Sequence, residues 1–364
     1  MSKIEEVALL ILSRKSDKTV EHILPELNRH QVPWIWWDPG SIPTQSCMGF
    51  QWNNNKWQGA LDTTAIINLS PDLKSAVNHS KLSVSLGTDI GAVWYRRPTK
   101  EHAPWDTPND DMIEFINTEV NWFMKSFYTA GIVPVVCNPI QGQKASARTL
   151  QLAVAQQCGF KIPETYIGNN PEEIRAFWKK CNGKTIIKAI QNSVAVDING
   201  NERGLFTSRV YKKDLEHENK LHACPCIYQK EIPKDFEIRA TVVGQEVHAV
   251  EIHSQQSSYT KMDWRNYDLD HTPHYVHQLP KKINRHCLDL VKQLHLLYGA
   301  IDLIVTPEGD YVFLEINPFG QWGWLEDLTD IPISAAHVRL FQDLLQYPEK
   351  WNYPLWVNKP AHAE

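Results

Sequence analysis

Short uninterrupted apolar runs alternate with segments in which apolar residues return every three or four positions, and this alternation predicts an α/β opening. Residues 7–12 form a run of the length of one buried strand, 19–29 carry the helical period, and 33–37 form a second run. The tryptophans of that second strand are expected at the sheet edge. GAVWYRRP at 91–98 reads as a strand ending in two arginines, followed by a helix around 110–130 and a short strand over 133–138. Pro139, Gly142 and the helical pattern of 145–158, stopped by Gly159, place a lobe boundary near residue 140.

Beyond it, 162–165 lead into a strand, Asn170 opens a helix to about Lys180, and 184–190 form a strand. Asn199-Gly200 marks a hairpin between 194–198 and 204–210, because both residues tolerate positive φ. From Cys226 onward the strands are expected over 227–232, 237–243, 246–253, 275–279, 300–306 and 311–316, with helices over 285–298 and 334–345.

Composition narrows the classes. A chain of 364 residues exceeds one ordinary core, so two or three lobes with clefts between them are expected. A net charge of −5 supplies no broad basic field, which argues against nucleic acid as a partner. No run approaches the roughly 18 apolar residues of a membrane span, and the amino-terminal segment is too short and too charged for an ordinary signal peptide. Seven cysteines without a CxxC pair fit free thiols in a reducing cytoplasm, Cys224 and Cys226 included. His271, His274 and His277 are separated by Pro273 and followed by Pro280, which favours a loop over a zinc site.

The chemistry concentrates in YGAIDLIVTPEGDYVFLEINPFGQWGW at 298–324. With Glu308-Gly309 as a two-residue turn, Asp302 lies opposite Glu315. The two-residue period adds Asn317 to that face and sends Leu303, Val305, Leu314 and Ile316 to the core. Two adjacent carboxylates repel unless one is protonated or a cation lies between them, and oxygen-only ligands select Mg²⁺ or Mn²⁺. The alternative is an acid pair on a solvated face. No Ser-His-Asp or Cys-His nucleophile is evident.

Asp302, Glu315 and Asn317 in this order resemble the metal-binding signature of the ATP-grasp ligases. The resemblance implies α/β and α+β architecture: an N-terminal α/β lobe over 1–140, a central lid lobe over 141–228 and a C-terminal antiparallel lobe over 229–364. It places ATP and Mg²⁺ (or Mn²⁺) between the last two lobes and an acylphosphate on the reaction path. It also implies that Lys188 meets the nucleotide, that the backbone of Gln229, Lys230, Glu231 and Ile232 holds adenine, and that Glu237 binds ribose. Arg239, two residues on, shares the strand face of Glu237 and is a candidate phosphate clamp. Where many members carry a phosphate-contacting lysine in the first central helix, this chain has Arg148, with Lys144 a turn earlier.

VWYRRP at 93–98, GFKIPETYI at 159–167, EIRATVVGQEVHAVEIHSQ at 237–255, MDWR at 262–265 and FLEINPFGQW at 313–322 are similar to the maturases of microviridin or graspetide type. Phe319 departs from that group, which usually has a second asparagine there. The resemblance implies a ribosomal precursor peptide whose leader docks on the central lobe and whose core enters the cleft. An Asp or Glu side chain would be phosphorylated and captured by a hydroxyl or an amine, giving an ester or amide ring. Asp263 and Arg265 would handle the core, with ordinary turn chemistry as the alternative reading of DWR, and a homodimer is also implied; because a reactive acylphosphate needs shelter from water, the Asn199-Gly200 hairpin is a candidate lid. The competing function is a ligase that extends a protein tail or joins small metabolites.

Overall fold

The computed structural model describes residues 7–68, 77–100, 102–191, 194–196, 202–204, 206–266 and 268–351. The expected turn at Asn199-Gly200 lies outside the described residues.

β1 (Ala8–Leu12), α1 (Lys18–Arg29) and β2 (Trp34–Trp37) form the expected strand–helix–strand opening, with β1 and β2 parallel. Every residue of β1 is buried, as both faces of a parallel sheet are covered. Three further strands, β3 (Cys47–Asn53), β4 (Lys56–Asn68) and β5 (Val77–Leu86), extend the sheet through antiparallel pairs. Asn54 and Asn55 both take positive φ and turn β3 into β4. β2 is therefore interior rather than an edge. Its buried indoles find acceptors: Trp34 Nε1 donates to Asn28 Oδ1, Trp36 Nε1 to the Ser13 carbonyl and Trp37 Nε1 to Ser46 Oγ. β6 (Ile90–Tyr95), α2 (Asp110–Thr129) and β7 (Val135–Cys137) complete the lobe, in strand order β3-β4-β2-β1-β6-β7 with β5 on β4.

α3 (Pro139–Ala145) and α4 (Arg148–Gln157) lead to a second sheet made of β8 (Thr165–Gly168), β9 (Thr185–Lys188), β12 (Ser208–Arg209) and β13 (Cys226–Lys230), in the order β12-β9-β13-β8. α5 (Pro171–Lys180), capped by Asn170, and α6 (Glu218–Ala223) contribute Ile174, Phe177 and Leu221 to its core. Between β9 and β12, β10 (Val194–Val196) pairs, among the described residues, with β11 (Glu202–Gly204) alone.

The third sheet runs β16 (His274–His277), β15 (Glu246–Ile252), β14 (Phe236–Val243), β17 (Tyr298–Val305), β18 (Tyr311–Asn317). α4 and α7 (Lys281–Gln293) cover one face through Leu152, Ala155, Cys287 and Leu290. The helix expected to reach 298 stops at Gln293, because His295 takes positive φ and Tyr298 already belongs to β17. α8 (Gly323–Thr329) and α9 (Ile333–Gln346) pack on the other side, where Trp322, Leu340 and Phe341 share one core with Leu9, Ile11 and Trp94 of the first sheet. That shared core ties the carboxyl ends of the first sheet to the loop after β18.

Candidate active site

The acid pair forms, by a route other than the two-residue turn. The Thr306 N–H donates to the Asp310 carbonyl and Gly309, at φ 81°, donates to the Thr306 carbonyl, so three residues span the turn. Val305 then faces Tyr311 and Leu303 faces Phe313, one residue out of the expected register. A bulge at Leu314 restores it, and Asp302 faces Glu315. The bulge also swaps two side chains: Phe313 is fully buried in the core, while Leu314, expected there, turns with Ile304 to line a cleft.

This cleft, about 600 Å³, lies between the second and third sheets and is lined by Lys188, Glu231, Glu237, Asp263, Asp302 and Glu315 among others. Each central carboxylate holds an arginine: Asp302 Oδ1 accepts from Arg239 NH1 at 2.8 Å, and Glu315 Oε2 lies 2.9 Å from Arg148 NH2. Burial and the neighbouring Glu315 raise the Asp302 pKa despite Arg239. Burial pushes Glu315 the same way, but Arg148 and Lys188 outweigh it and hold the carboxyl below its ordinary value. Burial depresses Lys188, which senses Glu315, Arg148 and Arg265 from the middle of its sheet. Arg148, Lys188, Arg239 and Arg265 thus gather around Asp263, Asp302 and Glu315, one cation in excess. Such a basin suits added anionic oxygen.

Over 93% of its length the chain matches the structure of a RiPP-associated ATP-grasp ligase of Chryseobacterium gregarium, solved with ADP and a leader and core peptide. The match has a TM-score of 0.79 and 29% identity and covers 97% of that chain. The macrocyclase MdnC of Microcystis aeruginosa, bound with precursor peptide MdnA, matches at 0.76 and 27% identity, over 93% of this chain and all of its own. The macrocyclase MdnB of that organism matches at 0.71 and 26%, over 94% and 99%. The chain is an ATP-grasp ligase. No family model and no curated protein matches it.

The remaining expected residues of the ligase divide by where their side chains go. Glu231 and Ile232 reach the cleft, with Glu231 in a two-pronged ion pair with Arg209. Gln229 turns inward, donating through Nε2 to Thr165 Oγ1 at 2.9 Å, and Lys230 turns outward to Glu164 at 3.0 Å. Neither residue lines the cleft, and the Lys230 N–H is committed to the Glu164 carbonyl at 3.0 Å. Glu237 accepts from Lys234 Nζ at 2.7 Å and from Ser254 Oγ; burial raises its pKa and Lys234 opposes the rise. Asn317 shares the strand face of Glu315, yet its Oδ1 is committed to the Phe319 N–H at 2.9 Å. Arg148 sits on Glu315, whereas Lys144 is exposed.

Asp263 and Arg265 form a clasp rather than an open receptor. Arg265 Nε and NH2 donate to the two Asp263 oxygens at 2.8 and 2.6 Å. Asp263 Oδ2 also accepts from the Thr207 N–H and hydroxyl, at 3.1 and 3.0 Å, and so bridges the second and third sheets. Burial acts to raise the Asp263 pKa, but these bonds bring it down to about 2. Thr207, Lys234 and Trp264 escaped the sequence reading. Trp264, which carries the Arg239 guanidinium 5.9 Å from its ring centroid and stacks on Trp324, stood inside the quoted MDWR run. Thr207 has no local signal, since its partner lies 56 positions away.

Proposed function

We propose that the ligase uses ATP and Mg²⁺ to activate an Asp or Glu side chain of a ribosomally made precursor peptide. A Ser/Thr hydroxyl or a Lys amine of the same peptide then closes an ω-ester or ω-amide ring. The observation that carries this reading is the Asp302–Glu315 pair, set side by side by the Leu314 bulge within a ring of cations. The similar enzymes solved with leader, core or precursor peptides support the substrate class.

The residues fit the cofactors. A buried carboxylate, Asp302, and a half-buried one, Glu315, on neighbouring strands form an all-oxygen donor set for Mg²⁺, with Asn317 two positions along. Bound Mg²⁺ neutralises charge on transferring phosphate. Arg148 and Lys188 would meet phosphate oxygens, Glu237 ribose hydroxyls, and the stretch 229–232, through Glu231 and Ile232 that line the cleft, the adenine edge. Arg239 has a buried Nε with no partner among the described residues, a spare donor for the activated acyl group. The Thr207–Asp263–Arg265 clasp holds the lid lobe over the cleft, which keeps water from a reactive acyl group. We assign the lid lobe to 141–228, between an N-terminal lobe over 1–140 and a C-terminal lobe over 229–364, in a cytoplasmic homodimer.

A leader that docks outside the chemistry acts by favouring the competent state, in proportion to its differential affinity for that state. Leader supplied as a separate peptide is therefore expected to stimulate ATP-dependent modification of a detached core, followed by mass spectrometry. Equal turnover of free amino acids, with no leader effect on any peptide, would instead favour a small-molecule ligase.

A further inference from the structure

In the first sheet the chain leaves β1 toward β2 on one side, while β6 and β7 continue on the other, so β1 and β6 flank the topological switch point. Open α/β sheets take ligands in the crevice beyond the carboxyl ends of such strands. Here those ends carry Ser13 and Arg14 on one strand, Arg96 and Arg97 on the other. The backbone knits them together: the Arg96 N–H donates to the Leu12 carbonyl at 2.9 Å and the Arg14 N–H to the Arg97 carbonyl at 3.1 Å.

Three arginines therefore meet one carboxylate, and that carboxylate is already engaged. Asp17 accepts from Ser13 Oγ at 2.6 Å and from the Thr19 N–H at 3.0 Å, and lies 3.6 Å from Arg96 Nε. Arg96, only 2% exposed, acts as a strut, its NH1 donating to the Gly320 carbonyl at 3.1 Å, while its buried Nε and NH2 have no hydrogen-bond partner among the described residues. Arg97 is half-buried, and among the described residues no carboxylate forms an ion pair with it. Burial, then Arg96, lowers its pKa. A guanidinium partly withdrawn from water beside two others costs free energy that only an anion offsets.

The carboxyl ends of β1 and β6 border the active site. Gly320, which takes the Arg96 strut on its carbonyl, packs so closely on the other centre that a Cβ there would fall 2.7 Å from Arg239 NH2. The Tyr298 hydroxyl donates to the same carbonyl at 2.7 Å and senses Arg96, Arg97 and Arg239 together. One loop thus separates Arg97 of the first lobe from Arg239 of the third.

We propose that Arg97, with Arg14 beside it, receives a side-chain carboxylate of the acidic peptide substrate in the crevice between β1 and β6. This rests on the reading of the ligase as one that works on acidic peptides. A fork of donors accepts a carboxylate through two parallel bonds, and an amide isostere fills the same space without the charge.

The test compares binding of two capped peptides, one of alternating Thr and Glu and one of alternating Thr and Gln, by titration calorimetry, with ADP titrated separately. The wild type is expected to prefer the Glu peptide by roughly tenfold or more, the scale of a hydrogen bond to a charged group. Arg97→Gln should lose that preference and keep its ADP affinity, Arg97→Lys should retain part of it, and Arg14→Gln, at an exposed position, should weaken it even if the Arg97 variants fail to fold. No preference in the wild type, or a preference unchanged in Arg97→Gln or in Arg14→Gln, overturns the proposal. So does a parallel loss of ADP affinity in Arg97→Gln, which would give the subsite to a nucleotide phosphate. Failure of the wild type to bind ADP would reject the ATP-dependent reading and leave the Glu preference to decide the subsite.

Discussion

Glu315→Gln is expected to lower ADP release by about 10²–10³-fold or more, the scale seen when one charge-stabilising group is removed from a preorganised site. The substitution keeps volume and shape and removes one negative charge. Glu315 is held ionised against burial by Arg148 and Lys188, so its charge is what the site maintains. The amide would leave Asp302 as the single anionic ligand for a divalent ion, with four cations around it. The fold should survive, because Arg148 keeps its bonds to the Ile190 carbonyl and to Gln151 Oε1, at 3.2 and 3.0 Å. A melting curve and ADP release at saturating Mg²⁺ check this. Wild-type release from a folded variant would remove Glu315 from the metal site.

Arg239→Met is expected to cost stability as well as activity. Its ion pair with Asp302 is nearly sealed from solvent, with side-chain exposures of 7% and 8%. Removing one partner of such a pair strands the other, at a cost of about 3–5 kcal/mol. The stranded Asp302 also faces Glu315 directly, which adds like-charge repulsion. Methionine preserves much of the packing on Trp264, so the loss reports the charge rather than a cavity. Mg²⁺ should raise the melting temperature of the variant more than that of the wild type, since a divalent ion then meets a bare Asp302 beside Glu315 and has no arginine to displace from Asp302. An Arg239→Met protein as stable as the wild type, with no larger response to Mg²⁺, would contradict the charge balance described for this cleft.

The sequence made the opening of the first lobe legible because β1 is buried on both faces and α1 carries a clear apolar stripe. The hairpin of β3 and β4 left no such trace. β3 alternates between exposed and half-buried residues, with Met48 and Phe50 reaching the core from half-buried positions, too weak a period to read, although Asn54-Asn55 marks its turn. The acid pair was legible in outcome and not in path: a turn one residue longer than expected and a bulge at Leu314 cancel, so Asp302 meets Glu315 in either register. Periodicity carries no signal for a bulge, and the exchange of Phe313 for Leu314 in the core followed from it. Arg239 was readable as a neighbour of Glu237 on one strand face. That Asp263 holds Arg265 is a contact local to the DWR run, whereas its bonds to Thr207, 56 positions away, depend on a meeting of two lobes that no local pattern encodes.

The central claim is that ATP is spent on joining a carboxylate to a nucleophile within one peptide, and the stoichiometry of ADP formed to water lost tests it most directly. Enzyme, Mg²⁺, ATP and a candidate precursor with an acidic, hydroxyl- and lysine-containing core are incubated, ADP is quantified, and the peptide mass is followed in the same samples. The account predicts one ADP for each water removed from the peptide, with both falling together in Glu315→Gln. ADP formed without loss of water from any peptide whose carboxylates provoke it, or peptide mass gained through an added amino acid, would contradict it.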